Sequence, residues 1–221
     1  NGINSDYVIL FAITTPDIGH KGISCFLVEK GFDGFDVGKP EDKLGIRASD
    51  TCELYFDNVK VPKENLIGNE NDGFKIALST LDGGRIGIAS QALGIAQASL
   101  DSSISYSKER VQFSKPISAN QGIQFKLADM AIEIEAVRLL IRKAAWMKDN
   151  KQNFSSIASM AKVNASEVAM RASTQCVQIH GGYGYMKETG VERLMRDAKI
   201  TQIYEGTSEI QRVVIARDLL K

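Results

Sequence analysis

The chain has 221 residues, a length that fits one large domain or two small ones. Lysine plus arginine equals aspartate plus glutamate at 27 each, so the charge gives no reason to expect nucleic acid or an acidic membrane as a partner. Three widely spaced cysteines fit neither a zinc site nor a disulfide framework, which favours a reducing compartment.

Membrane insertion and metal binding are also not expected. No apolar run approaches the length that spans a bilayer, and the start of the sequence has no signal-peptide pattern. His20 and His180 are the only histidines and lie far apart in the sequence, so we predict no metal site.

Residues 1–67 have the pattern of a β-domain. Tyr7 to Ile13 is a continuous apolar run, which predicts a strand buried on both faces. In the strand predicted at Glu53–Val61, the alternate side chains of Leu54 and Phe56 point inward, and Pro62 ends the strand. The further strands are predicted at Ile23–Glu29, Phe35–Val37 and Glu53–Val61.

From Gly73 onward the pattern is helical. Near residue 68 the amino-acid composition changes from one typical of strands to one typical of helices. Apolar residues at helical spacing predict three long helices that pack as a bundle, with Gly87 and Gly94 permitting close helix approach. The first seam comprises Ala89, Leu93, Ala96, Leu100 and Ile104. The second comprises Ile123, Leu127, Met130, Ile134, Val137, Ile141 and Ala144. The third comprises Ala161, Ala165, Val168, Ala172, Cys176 and Ile179.

The connections between these helices are marked by helix-breaking and polar residues. Pro116 separates the first long helix from the second, and the polar run 149–153 connects the second to the third. The glycines of 181–185 end the third helix. We therefore expect an α+β protein with domains at 1–67 and 68–221.

A glutamate near the C-terminus lies in a loop immediately before a predicted helix. Ser208, followed three residues later by Gln211, is typical of a capping box at a helix start. The N–H groups of Gly206 and Thr207 can there bind an anion or polarise a carbonyl. A carboxylate at Glu205 beside such donors suits the removal of a proton next to a carbonyl. The alternative is an ordinary solvated loop carboxylate.

The motifs around this loop resemble a known family. Tyr-Glu-Gly-Thr-Ser-Glu-Ile-Gln at 204–211 is preceded by Arg-Asp-Ala at 196–198 and by Gln-Ile-His-Gly-Gly at 178–182. Together they are similar to the C-terminal half of flavin-dependent acyl-CoA dehydrogenases, closest to the short-chain, butyryl-CoA branch. Residues 44–51 and 56–62 are similar to the family's middle β-domain. The resemblance covers the whole chain.

The resemblance implies part of a middle β-barrel-like domain at 1–67, followed by a C-terminal four-helix-bundle-type domain at 68–221. It implies that Glu205 is the catalytic base, with the N–H of Gly206 on the thioester carbonyl. The implied reaction is α,β-dehydrogenation of a short-chain acyl-CoA to the trans-2-enoyl-CoA. Electrons then pass to an electron-transferring flavoprotein.

The resemblance also implies FAD as the cofactor. An arginine suits a pyrophosphate because its planar fork donates two parallel hydrogen bonds. The implied flavin contacts are Arg110, Gln112, Gln121, Gln178, Ile179, His180, Gly181, Gly182, Thr207, Ser208 and Glu209. Ser114 stands where the family usually has glycine.

Several of these flavin contacts also have an ordinary structural interpretation. Residues 108–110 alone would be a solvated helix end, and Gly181 a simple C-cap. Glu209 suits the first turn of a helix because of the helix dipole.

The segment Asp82-Gly83-Gly84-Arg85 has two interpretations. Adjacent glycines weaken a helix by about 1 kcal/mol each relative to alanine, so the segment is expected to interrupt the helical pattern. Either it is a plain kink with a solvated Arg85, or, as the resemblance implies, these four residues contact the coenzyme A part of the substrate.

The family's flavin contacts come from different subunits, so the resemblance implies a homo-oligomer, with a tetramer expected. The expected location is the bacterial cytoplasm or the mitochondrial matrix. The family carries an N-terminal helical domain and earlier strands, so we expect a truncated, cleaved or separate piece of such a protein. Two alternatives remain: an acyl-CoA oxidase of the same fold, and a non-catalytic helical assembly module without flavin.

Overall fold

The structure is a computed structural model that describes residues 1–221, and it divides into two compact units, Asn1–Leu81 and Asp82–Lys221. The predicted change from strand to helix near residue 68 lies between the last strand of the first unit, which ends at Ile67, and the long helix that begins at Gly73. No helix of the structure combines the length and the apolar character that crossing a bilayer requires.

The first unit contains two small antiparallel sheets. One has the order β1-β2-β5, with β1 at Tyr7–Ile13, β2 at Ile23–Glu29 and β5 at Leu66–Ile67. The register pairs Tyr7 with Glu29 and Ile13 with Ile23. The other sheet pairs β3, Phe35–Val37, with β4, Leu54–Phe56. The predicted bounds of the first three strands are confirmed.

Two details of the strand predictions are wrong. β1 is not buried on both faces: it belongs to a small antiparallel sheet, and its alternate residues, Tyr7 among them, are exposed. β4 is shorter than predicted, because Asn58 adopts a φ of +52°, a left-handed conformation that a strand cannot continue. The predicted alternation within β4 is confirmed, since Leu54 and Phe56 are half-buried and Tyr55 is exposed.

The helices follow in chain order. The long ones are α1 at Gly73–Glu109, α2 at Gln121–Asp149 and α3 at Ser155–His180. A short hairpin of β6, Val111–Gln112, and β7, Lys115–Pro116, separates α1 from α2. After α3 come α4 at Gly182–Tyr185, α5 at Val191–Ile200 and α6 at Ser208–Leu219. The chain is α+β, as predicted.

The three predicted seams form the core of the second unit. All six residues of the α3 seam are buried, and α3 packs against α2, α4, α5 and α6. Val137 and Ile134 of α2 are among the largest fully buried side chains, and each such burial contributes about 1.5–3 kcal/mol to the free energy of unfolding. This packing fixes where α3 and the loop before α6 lie relative to each other.

Two predictions about glycines in α1 are wrong. The helix runs unbroken through Gly83 and Gly84, because the packing of its apolar face outweighs their low helix propensity. Gly87 and Gly94 are exposed and have open space around the position of a Cβ atom, so they mediate no close helix approach within this chain.

Candidate active site

Glu205 and Gly206 form a left-handed turn between α5 and α6. Their φ angles are +56° and +87°, and the first is a strained value for a residue with a Cβ atom. Gln211 Nε2 donates to the carbonyl oxygens of Glu205 and Gly206 at 3.0 and 3.1 Å. Lys162 Nζ donates to the same Gly206 oxygen at 2.7 Å. Buried side chains from two helices therefore hold the turn.

The carboxylate of Glu205 lies against Gly84 of α1. A Cβ atom built on Gly84 would collide with Glu205 Oε2, so the absence of a side chain at Gly84 makes room for this carboxylate. Glu205 itself is half-buried. The structure thus joins two segments that the sequence places far apart, the glycine pair of α1 and the loop before α6.

The loop prediction is confirmed, but the cap lies one residue earlier than predicted. Thr207, in extended conformation, is the N-cap of α6, and its Oγ1 accepts from Ile210 N at 3.3 Å. Ser208 is the first helical residue, and its buried hydroxyl has no partner. Gln211 bonds the two carbonyls of the turn and does not complete a capping box with Ser208.

Three successive N–H groups in this loop, those of Glu205, Gly206 and Thr207, have no acceptor within the chain. Free donors of this kind precede a helix N-terminus, where the helix dipole also favours negative charge. A carboxylate and free N–H donors therefore occur in one turn, which is the arrangement that a proton abstraction beside a carbonyl requires.

Two cations are buried next to this turn. Arg85 Nη1 donates to Asp82 Oδ1 at 2.6 Å and to the hydroxyls of Ser159 and Ser155 at 3.2 and 3.3 Å. Arg85 is buried, so the alternative of a solvated arginine is wrong. Lys162 is fully buried, and this desolvation lowers its pKa to about 8, although the charges of Glu209 and Glu205 act to raise it.

Sequence reasoning missed Lys162. The signal was its position in α3, where it shares the buried helical face with Ala158, Ala165 and Ser166. A lysine on such a face needs a hydrogen-bond partner, and the carbonyl of Gly206 is that partner.

Six of the predicted flavin contacts line one cavity of about 610 Å³. In this cavity, which we call the Arg110 cavity, the Arg110 guanidinium lies 5.4 Å from the centroid of the Tyr183 ring. His180 stacks on Tyr106 with 4.2 Å between ring centroids, and its Nδ1 donates to Cys176 O at 2.8 Å. The six predicted residues are Arg110, Gln112, Ile179, His180, Gly181 and Gly182.

The remaining predicted contacts lie elsewhere. Thr207, Ser208 and Glu209 line a second cavity of about 270 Å³ at the start of α6. Hydrogen bonds from its own backbone N–H and from the Thr207 hydroxyl lower the pKa of Glu209. Gln121 and Gln178 are exposed and belong to neither cavity. Nine of the eleven predicted flavin contacts therefore fall into two groups within one chain.

The hairpin beside Arg110 shows how the chain accommodates Ser114. Phe113 and Ser114 are the two central residues of the turn, with φ angles of +51° and +64°. Both values lie in the left-handed region, which is the pattern of a type I′ turn and favours glycine. The serine adopts the backbone conformation that a glycine would take without strain.

Comparison with known proteins gives consistent results. Residues 1–59 match the family model "Acyl-CoA dehydrogenase, middle domain", and residues 71–220 match "Acyl-CoA dehydrogenase, C-terminal domain". The chain is 58% identical over 220 residues to an acyl-CoA dehydrogenase of Bacillus subtilis (strain 168). The match covers 100% of this chain and 58% of that relative.

Two solved structures share the fold over the whole chain. One is butyryl-CoA dehydrogenase from Megasphaera elsdenii, with 56% identity and a TM-score of 0.98. The other belongs to work on the electron transferring flavoprotein of Acidaminococcus fermentans, with 53% identity and a TM-score of 0.98. This chain spans 58% of each of those chains. The resemblance inferred from the motifs is confirmed, and the chain belongs to the acyl-CoA dehydrogenase family.

Proposed function

We propose that the protein carrying this chain is an FAD-dependent dehydrogenase that converts a short-chain acyl-CoA thioester to the trans-2-enoyl-CoA. The observation that carries the proposal is the turn in which the Glu205 carboxylate and three free N–H groups occur together. The similarity to a butyryl-CoA dehydrogenase supports a short acyl chain.

Glu205 acts as the general base that takes the α-proton of the thioester. The N–H of Gly206 donates to the thioester carbonyl oxygen, where negative charge develops as the proton leaves. One such donor typically contributes about 2.7–4 kcal/mol to transition-state stabilisation. Gly84 leaves the space in which the carboxylate lies, and Lys162 with Gln211 holds the turn. The segment Asp82–Arg85 is proposed to contact the coenzyme A part of the substrate.

The residues of the Arg110 cavity fit a flavin nucleotide. Arg110 has no carboxylate partner within the chain, and its fork is free to bind a diphosphate. Gly181 and Gly182 leave open space on the cavity wall, which allows close approach of a ligand to the backbone. When bound, FAD supplies the acceptor for the hydride that leaves the β-carbon. The residues that would hold FAD together with Arg110 are Gln112, Gln121 and 178–182. The second group of contacts, at the start of α6, would be Thr207, Ser208 and Glu209.

Two groups of flavin contacts in two separate cavities support a flavin site shared between subunits. We therefore propose a homo-oligomer, expected to be a tetramer. The similarity to a chain from work on an electron transferring flavoprotein supports such a flavoprotein as the electron acceptor. All three cysteines are free, which fits the bacterial cytoplasm or the mitochondrial matrix.

The test uses the complete protein, because this chain spans only part of its relatives. Purified protein should carry FAD, identified by absorbance and by mass after release, and anaerobic butyryl-CoA should bleach the flavin band. Protein without flavin would support the non-catalytic module. Reduced protein that reoxidises rapidly in air, without an electron-transferring flavoprotein, would identify an acyl-CoA oxidase.

A further inference from the structure

Gln211 is fully buried in the first turn of α6, and its side chain bonds the loop that precedes the helix. Side chains of an α-helix tilt towards its N-terminus, so a long side chain in the first turn can reach the preceding residues. Nε2 of Gln211 donates to the carbonyl oxygens of Glu205 and Gly206 at 3.0 and 3.1 Å. The amide nitrogen therefore directs its hydrogens at the two carbonyls of the turn.

The oxygen of the same amide has no partner. Gln211 Oε1 is buried and accepts no hydrogen bond within the chain. A buried polar atom without a partner lowers stability, and an apolar side chain of the same length would avoid this penalty. The amide cannot be turned over, because Oε1 would then face two carbonyl oxygens. The two bonds from Nε2 are thus the contribution that an apolar residue could not make at this position.

The turn is shaped to receive this amide. A Cβ atom on Gly206 would collide with Gln211 Nε2, and the φ angle of Gly206, +87°, is one that glycine adopts without strain. Glu205 holds a φ of +56° although it has a Cβ atom, a conformation that persists only where neighbours hold it. The position of the amide and the backbone of the turn therefore depend on each other.

The bonds to the carbonyls determine where the N–H groups of the turn point. A trans peptide group is planar, and its C=O and N–H point to opposite sides. The oxygen of Glu205 belongs to the peptide group that carries the N–H of Gly206, so the bond from Gln211 directs that N–H away from the buried amide. The oxygen of Gly206 belongs to the group that carries the Thr207 N–H, and it accepts from Gln211 and from Lys162. Neither N–H has an acceptor within the chain.

The same bonds also strengthen these N–H groups as donors. Hydrogen bonds in series polarise one another, so a donor on a carbonyl oxygen increases the positive charge on the N–H of the same peptide group. Lys162 donates from an ammonium group, and bonds from charged donors are the stronger ones. Donors that are oriented and polarised in advance stabilise negative charge where it develops in a transition state.

We infer that Gln211 and Lys162 are positioning residues for the dehydrogenation. They keep two successive N–H groups, those of Gly206 and Thr207, turned away from the core and polarised before the substrate binds. Gln211 acts on the Gly206 N–H, the donor to the thioester carbonyl, and Lys162 acts on the next peptide group. The inference rests on the proposed function, and it assigns the orientation of that donor to a side chain that is itself fully buried.

The test compares two variants of the complete protein. Gln211→Met keeps the length of the side chain, removes the donor and also removes the unpartnered oxygen. The matched control is Ser173→Ala, which removes a fully buried hydroxyl that donates only to carbonyls of its own helix, α3. Both variants lose buried side-chain hydrogen bonds, but only Gln211→Met loses them at the turn.

The carbonyl and the rate are measured separately. The probe is trans-2-butenoyl-CoA with ¹³C at the thioester carbonyl, whose infrared stretching band moves to lower frequency when the oxygen accepts a strong hydrogen bond. The bound probe should show this shift in the parent and in Ser173→Ala, and the band should return towards its solution position in Gln211→Met. Anaerobic flavin reduction by butyryl-CoA should slow by about 10- to 100-fold in Gln211→Met, because complete loss of such a donor costs about 10²–10³-fold. Flavin content should stay unchanged.

A second variant, Gln211→Glu, covers the case in which Gln211→Met does not fold. Its carboxylate keeps the shape of the amide and can pair with Lys162, which bonds the same Gly206 oxygen. It also lacks the Nε2 donor, so the band shift should be lost.

Two results would overturn the inference and leave the proposed function intact. One is a parent-like band and rate in either folded variant. The other is slower reduction with an unmoved band, which would place the effect of Gln211 away from the carbonyl. A parent protein that neither shifts the band nor reduces its flavin would refute the proposed function, and this inference with it.

Discussion

The ammonium group of Lys162 donates a hydrogen bond to the carbonyl oxygen of Gly206 over 2.7 Å, from a fully buried position in α3. The lysine thereby ties the packed centre of the bundle to the turn that carries Glu205. A buried charge needs such a partner, and a left-handed turn at a residue with a Cβ atom needs neighbours that hold it. The hydrogen bond from Lys162 to the Gly206 carbonyl satisfies both requirements.

Replacing Lys162 should therefore impair the proposed base without removing the flavin. Lys162→Met keeps much of the volume and loses a hydrogen bond from a charged donor, typically about 1.5–3 kcal/mol. We expect flavin reduction by butyryl-CoA to slow by about 10- to 100-fold, measured by stopped-flow absorbance. Flavin content should match the parent. A parent-like rate with lowered thermal stability would show that Lys162 has a structural role alone.

The lowered pKa of Lys162 predicts a pH dependence of stability. The pKa is about 8 in the folded chain against 10.5 as the ordinary value, so the unfolded chain binds more protons between these two pH values. The contribution of Lys162 to the free energy of unfolding therefore rises as pH increases from about 8 towards 10.5. Melting temperatures of the parent and of Lys162→Met, compared at pH 7 and pH 9.5, should shift in favour of the parent at the higher pH. An unchanged difference would contradict this.

Gly84→Ala should separate helix stability from catalysis. The substitution favours the helix by about 1 kcal/mol on propensity alone, but its Cβ atom collides with the Glu205 carboxylate. We expect a reduced rate of flavin reduction in stopped-flow measurements. Gly87→Ala is the matched control, since it lies on the same helix with open space around it, and it should raise the melting temperature at an unchanged rate. Equal behaviour of the two variants would mean that the carboxylate does not act from this position.

Glu205→Gln tests the base directly. The amide keeps the size and hydrogen-bonding capacity of the carboxylate but cannot accept the α-proton. General-base catalysis typically contributes about 10²–10⁴-fold, so bleaching of the flavin band by butyryl-CoA should be almost abolished. Flavin content and acyl-CoA binding should be retained. The control is Glu209→Gln, a nearby carboxylate at the start of α6. Loss of reduction in the control, with a parent-like Glu205→Gln, would assign the base to Glu209.

Arg110→Ala tests the shared flavin site. Arg110 lines the Arg110 cavity without a carboxylate partner, so its loss removes the group proposed to bind the diphosphate. We expect lower flavin content together with dissociation of the oligomer, measured by absorbance and sedimentation. Lys108→Ala, an exposed cation at the end of the same helix, should change neither. Flavin loss from a protein that is monomeric throughout would refute sharing between subunits.

Local sequence patterns were sufficient for most of the secondary structure. The bounds of β1 and β2, the three helical seams and the loop before α6 follow from periodicity and from turn residues. These signals are local, because side-chain direction repeats with the period of the element that carries it. The motif around Glu205 was specific enough to identify the family from sequence alone.

Only the tertiary structure decided which residues meet at the site. Gly84 makes room for the Glu205 carboxylate, and Lys162 bonds the next carbonyl, although the three lie on separate elements. The exposed face of β1 and the continuity of α1 through its glycines were likewise set by neighbours in space. Such contacts depend on how the elements pack, and packing free energy can override the propensity of any one segment. The sequence by itself therefore determined the elements and the family, and the fold determined the site.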